Sequence, residues 1–116
     1  MKRKHCLRKS SDFRKIFKEG KRFLSPHFVL YIRENSSSTT RTGVSILKGH
    51  FKLATRRNRL RRIAKELFRK EVIPFVQGYD LVITSRAGLP HSNAGEAENE
   101  IKNLILGIDH RKYESR

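Results

Sequence analysis

A chain of 116 residues, 36% of them hydrophobic, suits a single domain with a thin core. Its 27 Lys and Arg against 11 Asp and Glu give a formal net charge of +16, a self-repelling balance that suits a polyanionic partner. No apolar run approaches the roughly 20 residues of a membrane span, and no hydrophobic signal segment follows the basic start at Met1–Cys6, so a cytoplasmic protein with no membrane partner is expected. Cys6 is the single cysteine, which excludes an intramolecular disulfide, and the five scattered histidines do not have the spacing of a zinc site.

Residues 1–9 read as a basic, poorly ordered tail. Ser10, Ser11 and Asp12 then supply hydroxyl caps and a first-turn acid for a short amphipathic helix. Phe13, Ile16 and Phe17 recur at i, i+3 and i+4, and Gly20 ends the run. Lys21–Leu24 is a short strand, and Phe28–Arg33 is a strongly β-prone one after the break at Ser25-Pro26. Alternation places Phe28, Leu30 and Ile32 on one face and Val29, Tyr31 and Arg33 on the other. The polar turn Asn35–Thr40 leads to a third strand at Thr42–Leu47.

From about Leu53 to Glu71 no Pro or Gly interrupts a helical pattern. Leu60, Ile63, Ala64 and Leu67 form its apolar stripe, with Phe68 at the edge. Asn58, Arg62, Lys65 and Arg69 fall opposite, and Arg57, Arg59 and Arg61 flank them. Asp80–Thr84 is a mostly apolar strand of the sheet interior, with Asp80 read as a turn residue. A loop from Arg86 to Ser92 precedes a last helix, capped at Asn93 and cored by Ala97, Ile101, Leu104 and Ile105. Glu96, Glu98 and Glu100 fit the positive end of that helix dipole. Residues 110–116 read as a flexible basic tail. The order α-β-β-β-α-β-α gives a single α+β domain, residues 1–116, with helices packed on a four-stranded sheet.

Two surfaces carry candidate chemistry. The helix around Arg56, Arg57, Asn58, Arg59, Arg61, Arg62, Lys65 and Arg69 has nearly one sign of charge, whereas a merely solvated helix mixes signs in i,i+4 pairs. It also prefers Arg, whose fork matches phosphate oxygens and stacks on bases. Asn58 either has no role, bridges phosphate and base edges, or orients Arg62 one turn on. The second surface joins Phe13, Phe17, Val29 and Tyr31 with Arg14, Lys15 and Lys18. A Phe pair at i,i+4 can be core, but an aromatic sheet face with a cationic rim is a platform for single-stranded nucleic acid. Acids are sparse, and no nucleophile elbow or phosphate-cradling loop occurs, so no catalytic residue and no metal site are expected in the protein itself.

The segments LRKSSDFRKIFKEGKRF, FVLYI, TGVSI, ATRRNRLRRIAKELFR and YDLVITSRAG, in this order, resemble the protein subunit of bacterial ribonuclease P from Leu7 to about Leu106. The most specific is Arg57-Asn58-Arg59 followed by Arg61-Arg62 and Lys65, similar to that family's RNxxKRxxRE helix. There are departures. Leu47–Ala54 is one residue longer than the usual KKxGxA approach and has Lys52 where glycine is usual, and Arg61 and Lys65 exchange the usual Lys and Arg. The resemblance implies an α-β sandwich with a left-handed βαβ crossover, whereas parallel crossovers are normally right-handed. It implies a large catalytic RNA as partner, removal of the 5′ leader of precursor tRNA, chemistry by the RNA with Mg2+ that it mainly holds, and no obligatory protein partner. It also implies that Arg56, Arg57, Asn58, Arg59, Arg61, Arg62, Lys65 and Arg69 meet the catalytic RNA, and that Phe13, Arg14, Phe17, Lys18, Val29 and Tyr31 meet the leader. A ribosomal protein or RNA chaperone would share charge and size but would not require these elements in this order. A stand-alone nuclease would cleave RNA unaided, and a DNA-binding protein would prefer duplex DNA.

Overall fold

The computed structural model describes residues 3–86 and 95–108. The proposed cap at Asn93, the loop 87–92 and the tail 110–116 lie outside the described residues. The elements are α1 (Ser10–Glu19), β1 (Lys21–Leu24), β2 (Phe28–Glu34), β3 (Arg41–Ser45), α2 (Ala54–Leu67), β4 (Tyr79–Ser85) and α3 (Gly95–Leu106). The sheet order is β1-β2-β4-β3. β1 pairs with β2, and β2 with β4, antiparallel, while β3 pairs with β4 in parallel across the α2 crossover. The α+β expectation, with its order of elements, agrees with the structure.

Alternation along the strands produces two cores. Phe28, Leu30, Ile32, Leu81 and Ile83 face α2 and α3 and pack on Leu60, Ala64, Phe68, Ile101 and Ile105. On the other face Val82 meets Ile16 of α1 and Leu7, with Phe13 and Tyr31 packed at the margin. β4 is covered on both faces, which explains its nearly unbroken apolar run.

Two expectations about the core need correction. Phe68 is fully buried, not an edge residue. The buried ridge is Leu60, Ala64, Phe68 and Val72, four residues apart. Four residues overshoot an α-turn by about 40°, and the π-helical turn at Phe68–Val72 takes that rotation back. The residues before α1 are also not a loose tail where they are described. A 3-10 turn at Arg3–His5 leads to Cys6, which bridges Thr42, and the Leu7 N–H donates to the Thr42 carbonyl at 2.9 Å. The His5 ring bonds the Thr40 carbonyl at 2.7 Å. This segment covers the free edge of β3, and the burial of one apolar residue, Leu7, anchors it among its charged neighbours.

The acids of α3 are not explained by the helix dipole alone. Glu100 accepts hydrogen bonds from the His27 backbone N–H at 2.7 Å, the His27 ring Nδ1 at 2.6 Å and the Ser25 hydroxyl at 2.9 Å. It ties α3 to the β1–β2 turn. Burial pushes the Glu100 carboxyl up, but the donors from His27 and Ser25 outweigh it and leave its pKa lowered. A lowered carboxylate stabilises the fold above its unfolded value of about 4.3, and this is lost as pH falls through the folded value. Glu100→Ala is expected to cost about 1–3 kcal/mol at neutral pH. In thermal melts the gap to wild type should narrow below about pH 4; a gap constant from neutral to acid pH would refute the charged latch.

Candidate nucleic-acid interface

The basic helix starts from a well-fixed entry. Phe51 tucks under α2 and stacks on Phe28, with ring centroids 5.6 Å apart. The Ser85 hydroxyl accepts the Leu47 N–H and meets the His50 ring, both at 2.8 Å. Arg57 donates to the carbonyls of Phe51 and Lys52 at 2.7 and 2.8 Å, and the Arg56 guanidinium lies 5.5 Å from the Phe51 ring centroid. The approach to α2 is therefore a folded loop that two of the arginines hold.

The cations of α2 thus differ in availability. Asn58 accepts from Arg61, not Arg62, at 3.1 Å, and Arg61 also donates to the Ile46 carbonyl. Arg59 pairs with Glu98 of α3 at 2.7 Å, and Arg69 pairs with Glu66. Hydrogen bonds from Arg69 and Lys70 hold the exposed Glu66 carboxyl down to about 2. Among the described residues the side chains of Arg62 and Lys65 are exposed and make no ion pair or hydrogen bond to the protein. With Asn58, Arg61, Glu66 and Arg69 they line an open groove of about 380 Å³.

The second surface follows from strand register, because paired residues share a face. On the α1 side three cross-strand rows succeed one another: Arg33–Asp80–Arg41, Tyr31–Val82–Gly43 and Val29–Thr84–Ser45. α1 crosses them. Phe13 covers Gly43, where an added Cβ would come within 2.8 Å of its ring and push the ring back. Ile16 packs with Val82, and Phe17 meets the Tyr31 ring edge-on at 5.0 Å. Phe13 and Phe17 are 6.2 Å apart, centroid to centroid. Ile16 is the buried anchor, while Phe13 is half-buried and Phe17 is 39% exposed. The Phe pair is thus a flank of α1 beside the sheet and not its core contact. Arg14, Lys15 and Lys18 are exposed on α1.

The result is an aromatic flank, Phe13, Phe17 and Tyr31, beside the sheet face, with exposed cations on α1. Val29 is only 7% exposed and shapes that face more than it offers surface. Arg22, opposite Tyr31 on β1, and Thr84 and Ser45 beside Val29 share this face and were not singled out from the sequence. Only the strand register reveals them.

Asp80 is a buried strand residue and not the turn residue expected. It accepts from Arg41 Nε at 2.9 Å and Nη2 at 2.7 Å, and from Asn35 at 2.9 Å. Arg41 also reaches Asp12 of α1 at 3.3 Å. The hydrogen bonds to Asp80 raise the Arg41 pKa further above its ordinary value, so this arginine stays charged.

A family model described as Ribonuclease P matches residues 1–109. The ribonuclease P protein component of Clostridioides difficile is 38% identical over 104 residues, covering 89% of this chain and 90% of that protein. That of Thermotoga maritima is 43% identical over 89 residues, 75% of this chain and 74% of the relative. The solved ribonuclease P protein of Thermotoga maritima superposes with a TM-score of 0.67 at 33% identity, covering 89% of this chain and 96% of that one. The Staphylococcus aureus protein superposes at 0.72 with 22% identity, covering 87% and 92%, a likeness of fold alone. This chain belongs to the ribonuclease P protein family and is by that kinship a protein component of a ribonucleoprotein that processes tRNA.

Proposed function

We propose that this chain binds the catalytic RNA of ribonuclease P through α2 and the 5′ leader of precursor tRNA through the α1–sheet cleft, and so assists endonucleolytic removal of the leader. The observation that carries this reading is the separation of the two surfaces. α2 packs on one face of the sheet and the aromatic residues of α1 and β2 lie on the other, which suits one small domain to two RNAs at once. Arg56, Arg57, Asn58, Arg59, Arg61, Arg62, Lys65 and Arg69 form the first contact, with Arg62 and Lys65 presented for phosphates. Phe13, Arg14, Phe17, Lys18, Val29 and Tyr31 form the second, where aromatic stacking is worth about 1–3 kcal/mol per base.

The chemistry in this proposal is phosphodiester hydrolysis by the RNA with Mg2+. Among the described residues no three His, Cys, Asp or Glu side chains gather where they could hold a metal ion. The protein adds positive charge and grip. The setting proposed is the cytoplasm, and among the described residues no helix is long and apolar enough to cross a membrane.

Leader cleavage at near-physiological salt and low magnesium tests the proposal, with the protein alone, a bacterial ribonuclease P RNA alone, and the two together. Fast cleavage only in the mixture is expected. Tight RNA binding without enhancement, using RNA from a compatible source, would favour an RNA chaperone instead. Phe17→Ala with Tyr31→Ala should lower affinity for long-leader precursors about tenfold and leave assembly with the catalytic RNA intact. Wild-type dependence on leader length in that variant would remove the cleft from the proposal.

A further inference from the structure

α1 carries two acids, Asp12 and Glu19, seven residues apart. Seven residues are nearly two turns, so both acids lie on one face about 10.5 Å apart. Beneath them lies the row Arg33–Asp80–Arg41. Its two arginines are on β2 and β3, with β4 between, which separates them by about two strand spacings, or roughly 9.5 Å. The two spans match, and the charges alternate. Arg41 reaches Asp12 at 3.3 Å, and Arg33 Nε reaches Glu19 at 2.7 Å. Asp80, 1% exposed, sits at the centre and takes both branches of the Arg41 fork.

The position of Glu19 needs this partner. It is the last residue of α1, where the helix dipole disfavours a negative charge. Asp12 has the dipole in its favour, but its neighbour Phe13 is the residue that closes on Gly43. With both acids turned to the row, the aromatic flank Phe13–Phe17 falls on the adjacent row, Tyr31–Val82–Gly43, and the cations Arg14, Lys15 and Lys18 stay exposed.

We infer that Asp12 and Glu19, seated on Arg41 and Arg33 around Asp80, form an ion-pair frame that fixes α1 over the sheet and thereby sets the width of the aromatic cleft. The four outer members are positioning residues. Their role in substrate binding rests on the leader reading proposed above. The frame sets a position and not a fold, because partly exposed pairs add little stability individually, while the sheet keeps the Asp80–Arg41 fork.

The near-isosteric double variant Asp12→Asn with Glu19→Gln tests the frame. Removing two acids should, by charge alone, strengthen RNA binding. The frame predicts the opposite sign for one quantity. In the reconstituted holoenzyme the advantage of a long-leader over a short-leader precursor should fall about three- to tenfold, in KM and not in kcat. In the free protein, NMR cross-peaks between the Phe17 and Tyr31 rings should weaken. Cross-peaks and leader advantage both unchanged would overturn the frame. Intact cross-peaks with a lost leader advantage would also overturn it, because the loss would then arise without any displacement of α1. Lost cross-peaks with an unchanged advantage would uphold the frame and overturn the assignment of the cleft to the leader.

Discussion

Arg62→Ala together with Lys65→Ala is expected to weaken binding to a ribonuclease P RNA about ten- to a hundredfold at moderate salt. These are the two cations of α2 that are exposed and engaged by no other side chain among the described residues. Each neutralised phosphate releases counterions, so the plot of log affinity against log salt should become shallower by about 1.4 to 1.8 for the pair. The neighbouring arginines make poorer probes. Arg57 holds two carbonyls of the entry loop, Arg61 holds the Ile46 carbonyl, and Arg59 is paired with Glu98. Their loss would disturb the protein as well as its contact with RNA. The Arg62/Lys65 variant should keep the wild-type melting temperature, because surface substitutions away from such contacts shift stability by less than about 0.5 kcal/mol. Equal salt slopes for variant and wild type, read by fluorescence anisotropy over a salt series, would show that α2 is not the docking face.

That ranking of the arginines was not legible in the sequence. The amphipathic pattern identified the basic helix and its polar face, and period-two alternation correctly separated Phe28, Leu30 and Ile32 from Val29 and Tyr31. Both are local signals, because a helix or strand face is set by neighbours within a few residues. What the sequence left hidden depends on partners far along the chain. Arg57 and Arg62 look alike until the path of Phe51 and Lys52 is known. Asp80 lies near the start of a strand, two residues after Gly78, a place where turn residues gather, and its burial follows only from the pairing of Arg41 and Asn35 with it across 39 and 45 residues. Leu7 was masked by the basic residues around it, and Phe68 by a π-turn that shifts the helical phase.

The acids show one consistent use. Ion pairs engage Asp12, Glu19, Glu66, Asp80, Glu98 and Glu100. In a chain with only 11 acidic residues, this leaves few carboxylates to repel a phosphate backbone. Most of these acids join elements: α1 to β2 and β3, α3 to α2, and α3 to the β1–β2 turn. The acids that would oppose the proposed RNA binding instead hold the candidate surfaces in place.

Asp80→Asn is expected to be the most destabilising of the substitutions considered, by about 3 kcal/mol, lowering the melting temperature by roughly 10 °C. The amide keeps the volume of the carboxylate but turns an NH2 toward donors. Three N–H groups converge on Asp80, two from Arg41 and one from Asn35, and an amide oxygen cannot satisfy all of them with a like-signed group beside it. The effect should extend to the β2–β3 turn, because Asn35 also donates to the Thr39 carbonyl and accepts from the Ser37 N–H. Melting within about 2 °C of wild type would mean that the pair is solvated and not desolvated as its burial indicates. A second variant separates stability from position. Replacing a buried ion pair by apolar residues of similar size is often near neutral, so Asp80→Leu with Arg41→Met should recover much of the loss. It cannot restore the hold on Asp12, so α1 should remain misplaced over the cleft even where the melting temperature returns. A fold thus rescued, with its leader advantage still reduced, would show that the charges in this row serve the cleft and not merely the stability of the sheet.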